Sequence, residues 1–220
     1  MPWDNDMSNV KHHLNDALLM SYASGTLEEG FGIAVASHIS LCDECRARLE
    51  SFEAVGGSLL DEPQEVAMCE DALEATFALI DSAPEFKPPA LKRDRVLPGP
   101  VQDYVGGDLS DVRWRAIGGG VKQAVLKTSD STKVRLLSIP GGAAMPHHSH
   151  RGLELTLVLK GAFSDEDARF GPGDIEIATE HVHHTPIAEE GEDCICLAVT
   201  DAPLKFKGLI PRIVQPFVGI

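Results

Sequence analysis

Three things are scarce in this 220-residue chain, and each scarcity excludes something. No apolar run approaches the ~20 residues a membrane-spanning helix needs. The opening MPWDNDMSNVKHHLND has neither the basic start nor the apolar core of a secretory leader, so a cytoplasmic location is expected. Cysteine is sparse, odd in number and scattered, as Cys42/Cys45, Cys69 and Cys194/Cys196. That is no disulfide framework, and it leaves metal-binding or redox thiols. Basic residues are scarcest where they would matter most. Residues 1–82 hold only Lys11, Arg46 and Arg48 against sixteen acidic side chains, so this third carries −13 of the formal −15. Phosphate neutralisation needs Lys and Arg, which argues against nucleic acid as a ligand of this part. A basic protein partner would be steered toward it; the plainer reading is that the charge serves solubility.

What is present falls into two parts. Hydrophobic content of 43% supports a packed core, in one large domain or two small ones. Residues 9–82 read as helical. Leu14, Leu18 and Tyr22 recur four apart with Ala17 beside them, Ser8 or Asn9 offers an N-cap, and Gly25 offers a stop. Thr26-Leu27-Glu28-Glu29 fits a capping box for a second helix through Ile33, Val35 and Ile39. After a break at Gly56-Gly57, CEDALEATFALIDSA places Leu73, Phe77 and Ile80 on one face of a further helix.

Residues 84–100 contain five prolines and a short basic cluster, the composition of a linker or wrapping arm. Beyond them the grammar changes to short β-rich runs, VRWRAI, KVRLLSI, LELTLVL, DIEIA and CICLAV, separated by glycine-rich turns. In LELTLVL, Glu154, Thr156 and Val158 face one way and Leu153, Leu155, Leu157 and Leu159 the other. Strands at this spacing predict an antiparallel barrel or sandwich. The fold class is therefore two-domain: an all-α helical module over 1–83, a linker over 84–100, an all-β barrel over 101–205, and a tail over 206–220.

All nine histidines sit in clusters: His12/His13, His38, and a set split between 147–150 and 181–184. In HISLCDECR, His38, Cys42 and Cys45 are spaced i, i+4, i+7, a narrow arc on one helix. If the helix ends near Cys42, the Cys-x-x-Cys pair can still close on one ion. Thiolate and imidazole suit zinc, and the fourth ligand of a closed structural site would come from His13 or His12, with His13 preferred because it adjoins the Leu14 stripe. A redox Cys-x-x-Cys pair and incidental cysteines are the other readings. Cys194 and Cys196 share a strand face and read as half-buried thiols, and Cys69 is expected to pack.

An upstream His followed by H-x3-C-x2-C, here His13 with His38, Cys42 and Cys45, resembles the zinc-binding anti-sigma domain, and HHLNDALLMSYASGTL resembles its opening. The resemblance implies a zinc-stabilised module that sequesters an alternative, extracytoplasmic-function (ECF-type) sigma factor. Its helices would lie against the sigma factor and block docking on core RNA polymerase. Gly142-x5-His148-x-His150-x3-Glu154-x6-Gly161 resembles the first motif of the cupin family, and Gly173 to His184 resembles the second. Thr179 and His181 stand where a proline and a glycine are usual. This implies a double-stranded β-helix barrel with a second divalent metal on His148, His150, Glu154 and His184. Zinc is the first choice, and manganese, iron and nickel are alternatives. His147, His181 and His183 would lie at the rim.

The combination resembles the ChrR-type anti-sigma factors, in which the module inhibits and the cupin is required for release on singlet oxygen or organic peroxide. The Leu73/Phe77/Ile80 helix would then be partner surface, with no catalytic residue. The alternative is a metal-dependent cupin enzyme, a dioxygenase or isomerase, carrying an accessory zinc module.

Overall fold

In a computed structural model, residues 10–61, 63–85, 96–128, 131–203 and 205–206 are described below. Helices α1 (Asp16–Ala23), α2 (Glu29–Ile39), α3 (Asp43–Leu60) and α4 (Ala72–Ser82) form the N-terminal part, followed by a short α5 (Gly99–Val105). Strands β1 (Arg115–Gly118), β2 (Val121–Leu126), β3 (Lys133–Ile139), β4 (His148–Ser149), β5 (Glu154–Lys160) and β6 (Phe163–Ser164) come next. The remainder are β7 (Arg169–Phe170), β8 (Ile175–Ala178), β9 (His183–His184), β10 (Ile187–Ala188), β11 (Cys194–Thr200) and β12 (Lys205–Phe206). The expected class, an all-α module and an all-β cupin barrel, is what the chain adopts.

Three local expectations change. Helix α1 starts at Asp16, capped by Asn15, whose side chain accepts from the Leu18 N–H at 2.9 Å. Ser8 and Asn9 lie outside the described residues. The preceding segment, Val10–Leu14, is held off the helix by hydrogen bonds to the barrel, described below. No capping box forms at α2: the Thr26 hydroxyl donates to Ser21 O, and the cap position falls on Glu28, which makes no side-chain cap bond. Gly56-Gly57 is no break either, because α3 runs through both to Leu60. Each glycine costs a helix about 1 kcal/mol, a penalty that a continuous hydrogen-bond ladder absorbs.

The barrel pairs a six-stranded sheet, β1-β2-β3-β11-β5-β8, with two three-stranded sheets, β10-β6-β7 and β12-β4-β9, all antiparallel. Strand β2 was not among the expected runs; Lys122 and Gln123 interrupt its apolar pattern. Along β5, Glu154 and Thr156 face the barrel cavity, while Leu155, Leu157 and Leu159 point outward. Those leucines are nevertheless buried, because the helical layer covers them: Phe31, Ala34, Val35, Leu14 and Leu19 join Leu136, Leu155, Leu157 and Val199 in one continuous core. Each such leucine contributes roughly 1.5–3 kcal/mol relative to exposure. Helix α2 lies close on the barrel because residue 30 has no side chain; a Cβ there would clash with the side chains of Thr132 and Val134.

Candidate metal centres and an unburied helix

His38 occupies the last turn of α2, which ends at Ile39, and Cys42 caps α3. The H-x3-C-x2-C segment therefore spans a helix–turn–helix corner rather than one helix. The corner closes through Cys42 N–H to His38 O at 2.8 Å, and Cys42 Sγ accepts the Cys45 N–H at 3.4 Å. His13 enters from the arm before α1, its Nδ1 lying 3.3 Å from Cys42 Sγ and 3.7 Å from Cys45 Sγ. One donor atom from each of His13, His38, Cys42 and Cys45 lies within 4.8 Å of all the others. His12 turns away: its Nε2 contacts Arg169 O at 3.0 Å and its ring lies 4.3 Å from Phe170.

These residues fit a zinc ion. His38 is fully buried, and its Nδ1–H donates to Gly173 O at 3.0 Å, which leaves the Nε2 lone pair facing the cluster without a protein partner. Burial lowers the His38 pKa to about 4, despite the Gly173 bond, so the ring is neutral and able to ligate. Burial likewise raises the Cys45 thiol to about 11. A thiol so placed ionises only beside a cation, which a dication supplies.

In the barrel, His148 on β4, His150 just beyond it, and His184 on β9 converge. The His184 Nε2 lies 3.1 Å from that of His148 and 3.3 Å from that of His150. Each outer nitrogen is held from behind. His148 Nδ1 donates to Pro146 O at 2.8 Å. His150 Nδ1 lies 3.3 Å from Glu154 Oε2, and His184 Nδ1 lies 2.9 Å from Glu176 Oε1 and 3.1 Å from Asp165 Oδ2. Three imidazole edges facing one another have no mutual hydrogen-bond solution when all are neutral, whereas a central cation satisfies all three. Glu154, buried beside the His150 ring, borders the same cavity of about 70 Å³. Glu154 thus lies behind His150 rather than among the three converging nitrogens.

The electrostatics are uneven. Burial lowers the His148 pKa to about 4. Burial also pulls His184 down, but the bonds and charges of Glu176 and Asp165 outweigh it and raise the pKa to about 9. Burial pushes Glu154 up, and the hydrogen bond and charge of His150 overcome that, leaving it lowered. Glu176, Asp165 and the buried Arg135, which faces the same cavity, were not singled out from sequence. The legible signal for Glu176 was a carboxylate at an inward position of DIEIA.

Other expected positions resolve simply. His147 reaches Thr185 Oγ1 at 3.1 Å and stacks on His183, and His181 is exposed, so all three line the rim. The turn that carries Thr179 and His181 still closes, with Val182 N–H on Thr179 O at 3.0 Å. Cys194 and Cys196 are fully buried with sulfurs 3.4 Å apart, more enclosed than expected. Cys69 does not pack: it is exposed in the stretch before α4. On α4, Leu73, Phe77 and Ile80 are 63%, 56% and 62% exposed, and no residue of the helix is buried. Val55, Leu59 and Leu60 at the end of α3 are exposed as well.

Residues 102–203 match the family described as the ChrR cupin-like domain. The anti-sigma-E factor ChrR of Cereibacter sphaeroides is 56% identical to this chain over 211 residues, which is 96% of this chain and 99% of that protein. This chain belongs to the ChrR family of anti-sigma factors. A crystal structure of Rhodobacter sphaeroides SigE in complex with the anti-sigma ChrR has a chain 54% identical to this one, with a TM-score of 0.77, covering 88% of this chain and all of that one. The ChrR relative is a regulator rather than an enzyme, which sets aside the reading of a cupin metalloenzyme. No described helix of this ChrR-family chain is long and apolar enough to cross a membrane.

Proposed function

We propose that this protein is a cytoplasmic anti-sigma factor that sequesters an ECF-type sigma factor from core RNA polymerase. The observation that carries the reading is α4, an amphipathic helix with its apolar side chains unburied, in a module of net −13. Exposed apolar surface rimmed by charge marks an interaction site. An acidic module suits a basic sigma factor and repels nucleic acid. Leu73, Phe77 and Ile80 are the contact residues, and the ChrR relative solved with SigE supports the partner class.

In this reading His13, His38, Cys42 and Cys45 hold Zn2+, which fixes the corner between α2 and α3 against the arm before α1. A bound divalent ion, zinc first and manganese, iron or nickel otherwise, supplies the cupin with a Lewis-acidic centre. His148, His150 and His184 hold it through their converging nitrogens; Glu154, the fourth expected ligand, backs His150 at the edge of the same cavity, and Glu176 orients His184. The module, residues 1–83, inhibits; the cupin, 101–205, is required for release on singlet oxygen or organic peroxide, and residues 84–100 and 206–220 serve as linker and tail.

In vitro transcription from a sigma-dependent promoter tests this. Added zinc-loaded protein should abolish the transcript, and excess sigma factor should restore it. Undiminished transcription at saturating protein would contradict the reading.

A further inference from the structure

The two metal centres are joined by one short piece of chain. Gly173 O accepts from the ring of His38, as described, and the next residue, Asp174, grips the arm that carries His13. Its Oδ1 accepts the Lys11 N–H at 2.6 Å and the His12 N–H at 2.9 Å. Its Oδ2 accepts the Gly171 N–H at 2.8 Å, which fixes the carboxylate, and the side chain is 3% exposed. The arm is pinned once more by Ile175 N–H to His12 O at 3.2 Å. Gly173 has φ +89°, and a Cβ there would lie 2.8 Å from Val10 Cγ2, so the arm and the turn meet without slack.

Two residues further along, Glu176 holds His184. The span from Gly173 to Glu176 is three residues of extended chain, about 10 Å. Its start is tied to β5 by Gly173 N–H to Val158 O at 2.8 Å and Val158 N–H to Asp174 O at 3.0 Å. The donors of the helical site therefore divide. Cys42, Cys45 and the backbone of His38 are placed by the α2–α3 corner, whereas the ring of His38 is oriented, and the arm of His13 held, by residues 173–174 of the barrel.

We infer that the Gly171–Glu176 segment couples the two metal centres, with Asp174 as its positioning residue, so that the state of the His184 site sets how firmly the helical site holds its zinc. The inference rests on the metal reading proposed above. A shift of His184 moves Glu176 and β8. The Gly173 carbonyl and the Asp174 carboxylate follow, and the two histidine donors leave their places while the thiols stay. Coupling of this kind is reciprocal, so the loss of helical-site zinc weakens metal binding at the cupin by the same factor.

The test uses the full chain, zinc-loaded and challenged with EDTA and N-ethylmaleimide, reading alkylation of Cys42 and Cys45 by residue-resolved mass spectrometry. Zinc must first slow alkylation of the wild type. If it does not, the metal assignment has failed and the inference with it. Binding of a sigma factor is not read, so failure of that part of the reading is separately visible. His184→Ala should speed alkylation about 10-fold, the scale on which supporting interactions tune metal sites. In an Asp174→Ala background, alkylation should already be fast, and adding His184→Ala should change it less than about 2-fold. Asp174→Asn, whose amide oxygen can still accept from Lys11 and His12 but whose amide nitrogen cannot accept the Gly171 N–H, should retain part of the dependence. Lys11→Pro, which removes one of those donors without altering the barrel, should lose part of it and serves if Asp174→Ala does not fold. Equal rates for wild type and His184→Ala, or an undiminished His184→Ala effect in the Asp174→Ala and Lys11→Pro backgrounds, would overturn the inference.

Discussion

At the scale of single residues, His12 and His13 are adjacent and of one type, yet the structure gives them opposite tasks. The backbone of His12 is held by Asp174 and its ring by Arg169 and Phe170, which turns His13 toward the thiols. His13→Ala, His38→Ala, Cys42→Ala and Cys45→Ala should each remove one zinc equivalent per chain, measured by elemental analysis, and abolish sigma binding. His12→Ala should retain full zinc content. A structural zinc ion contributes on the order of 10 kcal/mol to a small module, so partial binding is not expected from ligand loss. In the barrel, Glu176→Gln should weaken cupin metal affinity roughly 10- to 100-fold by loosening His184, read by competition with a fluorescent chelator. His148→Ala and Glu154→Ala should leave inhibition intact and block release by organic peroxide in a reporter assay.

At the scale of elements, the strands were legible wherever one face was polar and the other apolar. Histidines at fixed strand parity mark the three converging rings of the cupin, whereas Glu176 is not legible because its purpose depends on a fully buried ring across a turn. Helix α1 was mistaken at its start for a different reason: its first turn is replaced by contacts to residues 163 positions away, which no local pattern records. Gly56-Gly57 reads as a stop by propensity alone, yet the penalty is too small to end an 18-residue helix. Gly30 carried no visible signal, because its need for no side chain arises from Thr132. Gly30→Ala should therefore lower stability by about 1–3 kcal/mol through overpacking, seen as a drop of several degrees in the melting midpoint. Phe77→Ala is the contrasting case. More than half of the side chain is exposed, so the midpoint should stay unchanged while sigma affinity falls by about 2 kcal/mol, roughly 30-fold.

At the scale of the whole molecule, the helical module is not an appendage on a linker. Its inner face is the outer layer over the barrel sheet, with one hydrophobic core through both, and its outer face carries the charge and the uncovered α4. That division suits a protein whose one side holds a partner and whose other side feels the barrel. The acidity also sets kinetics: association with a basic sigma factor should slow steeply between low and physiological salt, while dissociation changes little. The most direct measurement is capture by the immobilised full chain, zinc-loaded or metal-stripped, from a lysate of the source organism, with bound proteins identified by mass spectrometry. The zinc-loaded chain should retain an ECF-type sigma factor free of core polymerase, and the stripped chain should retain none. Equal retention by both forms, or no sigma factor on either, would contradict the reading.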